Sequence, residues 1–133
     1  MTTWMLVEDE PDLFDLLLHM TQIFGVSGVA FTTGEEAIAW IDDIDRIQLR
    51  VEMPQLALID LRMPGDTQGD DVSARIRRSS ILATIPILLI TAYHLSPAEE
   101  RRILAKSGAQ RIVYKPLPVM TEFQQIIHQT MMG

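Results

Sequence analysis

Four of the five short apolar runs in this chain lead into residues that could do chemistry. Glu8, Asp9 and Glu10 follow the first, Asp60 follows the third, Thr91-Ala92 the fourth and Lys115-Pro116 the fifth. Packed together, such carboxylates repel: two unit charges about 4 Å apart cost about 4 kcal/mol at an effective dielectric of about 20. A hard divalent cation removes the repulsion, and Mg²⁺ favours one or two carboxylates together with waters and phosphate oxygens. An aspartate beside such a cation can attack phosphorus and form an aspartyl phosphate. The metal then neutralises charge that develops on the transferring group, while a lysine and a hydroxyl bind the remaining phosphoryl oxygens. Singly, each feature has a plainer reading: an acidic run at a helix N-terminus, a capping aspartate or threonine, a lysine ending a strand. The chemical reading needs all of them in one place.

The apolar pattern indicates what would bring them there. Runs at 4–7, 29–31, 56–59, 87–90 and 112–114 are of strand length, and several are apolar at consecutive positions, as in strands covered on both faces. Helical patterns lie between them. Leu13, Leu17, Met20 and Phe24 share one helix face, with Pro11 in the first turn. Ala37 and Ile41 mark a second helix and Val72 and Ile76 a third. Pro97 opens a fourth that Gly108 closes, and Phe123, Ile127 and Met131 share a face of a fifth. Strand and helix alternating five times predict a doubly wound α/β fold with a parallel sheet and right-handed crossovers. Ligands in such sheets bind beyond the carboxyl ends of the strands. Residues 42–54 fit less well: Ile47, Leu49, Val51 and Met53 alternate with polar residues, which suggests an irregular or strand-like extension. A longer second helix followed by a loop is the competing reading.

A length of 133 residues suits a single domain spanning 1–133, and 47% hydrophobic residues suffice for a core. The absence of cysteine excludes disulfides and thiolate metal sites and is compatible with a cytoplasmic location. A net charge of -7 argues against nucleic-acid binding by this domain. Two basic groups, Arg75, Arg77 and Arg78 and then Arg101, Arg102 and Lys106, read as solvated helix faces. No apolar run approaches the roughly 20 residues needed to cross a bilayer, and the N-terminus lacks the pattern of a signal peptide. His19, His94 and His128 have no mutual metal-ligand spacing. Trp4, Trp40 and most of the eight methionines read as packing residues.

Glu8-Asp9, Asp60 followed by Met63-Pro64-Gly65, Thr91-Ala92 and Lys115-Pro116, in that order and each at a strand end, resemble the receiver domain of two-component response regulators. The resemblance runs from residue 5 to about 131. It implies a flavodoxin-like sheet of five parallel strands in the order 2-1-3-4-5 with five helices. It further implies that Asp60 is the phosphoacceptor in a phosphorelay, and that Glu8, Asp9 and Asp60 hold Mg²⁺ with the backbone carbonyl of Arg62. Thr91 would bond the phosphoryl oxygen, Lys115 would pair with the acyl phosphate, and a cis peptide bond would precede Pro116. The implied donor is a sensor histidine kinase or phosphotransfer protein. The output would be contact with a downstream protein, or with a second copy in a homodimer, through a face including Glu99, Arg102, Lys106, Tyr114 and Gln124. The implied role is signalling rather than turnover of a substrate.

The chain departs from the family pattern in three places. Ile112 stands three residues before Lys115, where many receivers carry a switching aromatic, while Tyr114 lies on the same side of the strand. The loop after Pro64 is one residue longer than is common. Arg62 and Tyr93, two residues after Asp60 and Thr91, are large at positions that flank the phosphoryl group, and their bulk predicts slow autodephosphorylation. Two other readings remain at this point. One is a degenerate receiver acting as a phosphorylation-independent interaction module. The other is a haloacid-dehalogenase-type phosphohydrolase, which needs a second aspartate where this chain has Arg62.

Overall fold

The computed structural model describes residues 2–47 and 52–132. Five strands, β1 (Thr3–Val7), β2 (Ser27–Phe31), β3 (Leu56–Asp60), β4 (Ile87–Thr91) and β5 (Arg111–Tyr114), pair in parallel in the order β2-β1-β3-β4-β5. The helices are α1 (Pro11–Ile23), α2 (Gly34–Ile47), α3 (Gly69–Arg77), α4 (Pro97–Ser107) and α5 (Met120–Met132). This is the doubly wound architecture expected from the alternating pattern, with the flavodoxin-like strand order that the resemblance implied.

Residues β1, β3 and β4 are buried along their whole length, whereas the edge strands β2 and β5 are partly exposed. That is why the central runs are apolar at consecutive positions. Successive side chains enter opposite layers. Met5, Val7, Ala57, Ile59, Ile87 and Leu89 pack with Ala37 and Ile41 of α2 and Val72 and Ile76 of α3. Trp4, Leu6, Leu56, Leu58, Leu88 and Ile90 pack with α1 and α5 through Leu13, Leu17, Met20, Phe123 and Ile127.

The register aligns the carboxyl ends. Val7 stands opposite both Phe31 and Ile59, Asp60 opposite Ile90, and Thr91 opposite Tyr114. The ladder continues one residue further, through Glu8 N–H to Phe31 at 3.0 Å, Leu61 N–H to Ile90 at 2.7 Å and Lys115 N–H to Thr91 at 2.7 Å. The residues that follow the strands are therefore held by sheet hydrogen bonds as they leave the edge.

Helix ends follow local signals. Pro11 opens α1, and Phe24, expected within it, caps its C-terminus. Ser96 and Glu99 form a reciprocal capping box at the start of α4, and Gly108 ends it at φ 68°. Two expectations need correction. The segment 42–54 is not strand-like at its start: α2 runs on to Ile47, because Ala37, Ile41 and Ile44 continue one buried helical face. Leu49 and Val51 lie outside the described residues. Nor are the basic groups merely solvated. Arg75 bridges to Asp42 at 3.0 Å and Asp45 at 2.7 Å on α2, and Lys106 reaches Asp70 at 3.0 Å and Asp71 at 2.8 Å on α3. Arg77 donates to the carbonyls of Ala83, Ile85 and Gly108 and to the side chain of Gln110, at 2.6–3.0 Å. It thereby ties together the loops on either side of β4 and α4. The acceptors lie on other elements, out of reach of a pattern read along one helix.

Candidate functional site

Glu8, the first residue beyond β1, is fully buried, and Asp60 at the end of β3 is 5% exposed. One carboxylate oxygen from each of Glu8, Asp9 and Asp60 can be chosen so that all three lie within 4.8 Å of one another. Lys115 arrives from β5 with its Nζ 3.3 Å from Glu8, 3.4 Å from Asp60 and 3.5 Å from Glu10. The Lys115–Pro116 peptide is cis. Behind Asp60, α3 begins so close to β3 that a Cβ on Gly69 would lie 2.1 Å from the Asp60 carbonyl oxygen. The Gly69 N–H closes this turn by donating to the Leu61 carbonyl at 2.9 Å.

Burial dominates the electrostatics. It drives the Glu8 carboxyl from its ordinary 4.5 to about 7, helped by hydrogen bonding to Asp60 and opposed by the Glu10 N–H and by Lys115. Burial also pushes Asp60 up, against the lowering effects of Glu8, Lys115 and the Arg62 N–H. For Lys115, burial works against the charge, but the attraction of Asp60 and Glu8 raises its pKa overall. Buried Glu8 Oε1 receives no hydrogen bond, although Lys115 Nζ lies 3.3 Å from it. An oxygen-only donor set carrying this much negative charge, with one buried lone-pair site unused, fits a hard divalent cation.

A pH dependence follows. A carboxyl with a higher pKa in the fold than in the unfolded chain keeps its proton only in the fold between those two values, so stability falls as pH rises across that interval. Without divalent cation, the Glu8 contribution is expected to decline from about pH 4.5 to about pH 7. Scanning calorimetry of wild type and Glu8→Gln over that range should show a steeper downward slope in wild type than in the variant, which retains only the contribution of Asp60. Parallel curves would refute the assignment.

A match to the response regulator receiver domain family covers residues 5–128. The chain belongs to that family. An uncharacterised 14.6 kDa protein from Leptolyngbya boryana is 27% identical over 113 residues, 85% of this chain and 78% of that protein. Among solved structures, the receiver domain of a sensor histidine kinase from Pseudomonas aeruginosa, with magnesium coordinated in its active-site cleft, superposes with a TM-score of 0.78 at 22% identity, covering 99% of this chain and 98% of that one. A CheY-like receiver from Methanospirillum hungatei gives 0.76 at 18% identity, covering 98% and 94%. At these identities the structural likeness concerns the fold.

Ile112 packs at the margin of the α2–α3 core. Tyr114 instead donates its hydroxyl to Glu100 on α4 and stacks on His94, with ring centroids 6.4 Å apart. His94, expected as a solvated loop residue, is exposed yet engaged. Thr91 is fully buried, and its Oγ1 accepts the Tyr93 N–H at 3.1 Å. The Arg62 guanidinium lies 5.0 Å from the centre of the Tyr93 ring, so the two large residues meet across adjacent loops. Neither Gly69 nor Gln68 was singled out from the sequence. The loop at residues 65–69, read from the sequence as longer than the common pattern, was the available signal for both.

Proposed function

We propose that this receiver accepts a phosphoryl group on Asp60 from the phosphohistidine of a sensor histidine kinase or phosphotransfer protein. The carrying observation is the convergence of Glu8, Asp9 and Asp60 with Lys115 Nζ 3.4 Å from Asp60 Oδ2, at the edge of one sheet. An Asp60 carboxylate oxygen forms the new bond to phosphorus. The P–N bond breaks, its electron pair stays on the imidazole nitrogen, and that nitrogen regains a proton. Glu8, Asp9, Asp60 and the Arg62 carbonyl would hold Mg²⁺, which when bound would offset the carboxylate charge and the charge developing on the phosphoryl oxygens. Lys115 draws the incoming phosphoryl group by charge and remains as its counterion. Because Thr91 Oγ1 already accepts the Tyr93 N–H, its own proton is available to a phosphoryl oxygen once the side chain turns. An open groove of 670 Å³ beside Lys115, lined in part by Leu13, Leu16 and Leu117, offers a partner apolar surface next to the acceptor.

The contacts of Tyr114 support output through the face of α4, β5 and α5. Its bond to Glu100 and its stacking on His94 connect the β4–α4 loop, which follows Thr91, to α4. A phosphoryl group that draws Thr91 inward pulls on this loop and alters the face seen by a downstream protein or a second copy. The full set of acidic, hydroxyl and lysine groups favours this reading over a degenerate interaction module. Arg62, where a dehalogenase-type enzyme needs aspartate, weighs against hydrolysis as the role.

The test is mass spectrometry after incubation with a small acyl-phosphate donor. The expected result is uptake of one phosphoryl group per chain, only with Mg²⁺ present, reversed by hydroxylamine. No uptake under either condition would leave the interaction-module reading in its place. The Arg62–Tyr93 pair gives a second expectation. Stacked together, these side chains narrow the approach of an in-line water, so replacing both with alanine should speed loss of the phosphoryl group several-fold. An unchanged decay rate would show that they do not gate the water.

A further inference from the structure

Arg62 enters the proposed metal set through its main-chain carbonyl, so the direction of that carbonyl matters as much as the carboxylates. The peptide unit joining Arg62 to Met63 is planar and trans, which points its C=O and N–H in opposite directions. The Met63 N–H donates to Gln68 Oε1 at 2.9 Å. The same carboxamide donates through Nε2 to the carbonyls of Met63 at 3.0 Å and Gly65 at 3.1 Å. Gln68 is itself anchored, because its backbone N–H donates to the Asp71 carboxylate at 2.9 Å and its neighbour Gly69 is pressed against Asp60. One side chain thus closes the turn after Asp60 and turns the Arg62 carbonyl away from itself, while the Arg62 N–H faces the Asp60 carboxylate.

We propose that Gln68 is a positioning residue of the metal site, which orients the Arg62 carbonyl toward the cation by holding the Arg62–Met63 peptide. The inference rests on the Mg²⁺ reading above. Groups that orient metal ligands from the outer shell typically account for about 10- to 100-fold in affinity.

The experiment measures the rise in melting temperature of the full chain with Mg²⁺ concentration, which yields the dissociation constant for the folded state. Gln68→Met keeps the side-chain volume and loses all three hydrogen bonds. Its Mg²⁺ affinity is expected to fall by about tenfold. Glu35→Ala is the control. Glu35 receives the Thr67 N–H at 3.4 Å and lies against Gly65, so its loss loosens the same loop and leaves the Arg62–Met63 peptide held. That variant should melt lower without metal and bind Mg²⁺ as wild type does. Should Gln68→Met fail to fold, Gln68→Asn, one methylene short of Met63, carries the same expectation. If Gln68→Met binds within about twofold of wild type, or Glu35→Ala weakens binding as much, the role assigned to Gln68 is wrong. A wild-type chain that shows no Mg²⁺ response overturns the metal reading itself, a result distinct from either.

Discussion

Asp60→Asn is expected to abolish phosphoryl uptake while leaving the fold intact and the metal-free protein at least as stable as wild type. The amide has the shape of the carboxylate but no nucleophilic anionic oxygen, so no route to an acyl phosphate remains at that position. The stability half of the expectation is less intuitive. Asp60 is 5% exposed, and the cost of burying its charge outweighs the favourable contacts with Glu8, Lys115 and the Arg62 N–H. Removing the charge relieves that cost, while Lys115 keeps Glu8 at 3.3 Å and Glu10 at 3.5 Å as counterions. Intact-mass measurement with an acyl-phosphate donor and a thermal melt without metal together test the claim. Uptake by the variant would move the acceptor elsewhere. A large drop in melting temperature would mean that Asp60 is a structural anion rather than a strained functional one.

Gly69→Ala is expected to destabilise the receiver by about 3 kcal/mol and to impair both metal binding and phosphorylation. The added Cβ would meet the Asp60 carbonyl oxygen at 2.1 Å and the Asp60 carbonyl carbon and Leu61 Cα at 2.8 Å. These are main-chain atoms at the end of a central, buried strand and of the residue after it, so no side chain can rotate out of the way. Relief requires the start of α3 to move off β3, which drags Gln68 and the turn at Met63 with it or displaces Asp60. Gly25→Ala provides the comparison. Its residue has φ 69° and nothing within 4 Å of an added Cβ, so only the cost of the left-handed conformation remains, about 1 kcal/mol. Denaturant unfolding of the two variants should separate them clearly. Equal losses would mean that α3 has slack at its start that the close approach conceals.

These expectations depend on features of differing visibility in the sequence. The sheet was readable because runs such as 56–59 and 87–90 are apolar at consecutive positions, a pattern that follows from burial on both faces. The gathering of Glu8, Asp60, Thr91 and Lys115 was readable because they lie at or beside strand ends, and parallel strands in an open sheet bring those ends together. The segment at 42–54 was not, because Ile47 fits both a period of two with Leu49 and the continuation of α2. Burial of Ala37, Ile41 and Ile44 along one helical face decides in favour of the helix.

Local order in this chain is written in short-range periodicity: which stretches are strands, which are helices, and which residues emerge at the carboxyl edge. The partnerships are not. Arg75 finds Asp42 and Asp45, Arg77 finds backbone carbonyls, Tyr114 finds Glu100, and Lys115 lies 55 residues along the chain from Asp60. Each depends on how layers of helices settle on the sheet and on the direction of individual peptide groups. Side-chain spacing along a segment does not encode those quantities, because charge and hydrogen bonding act through space between elements that only folding brings near.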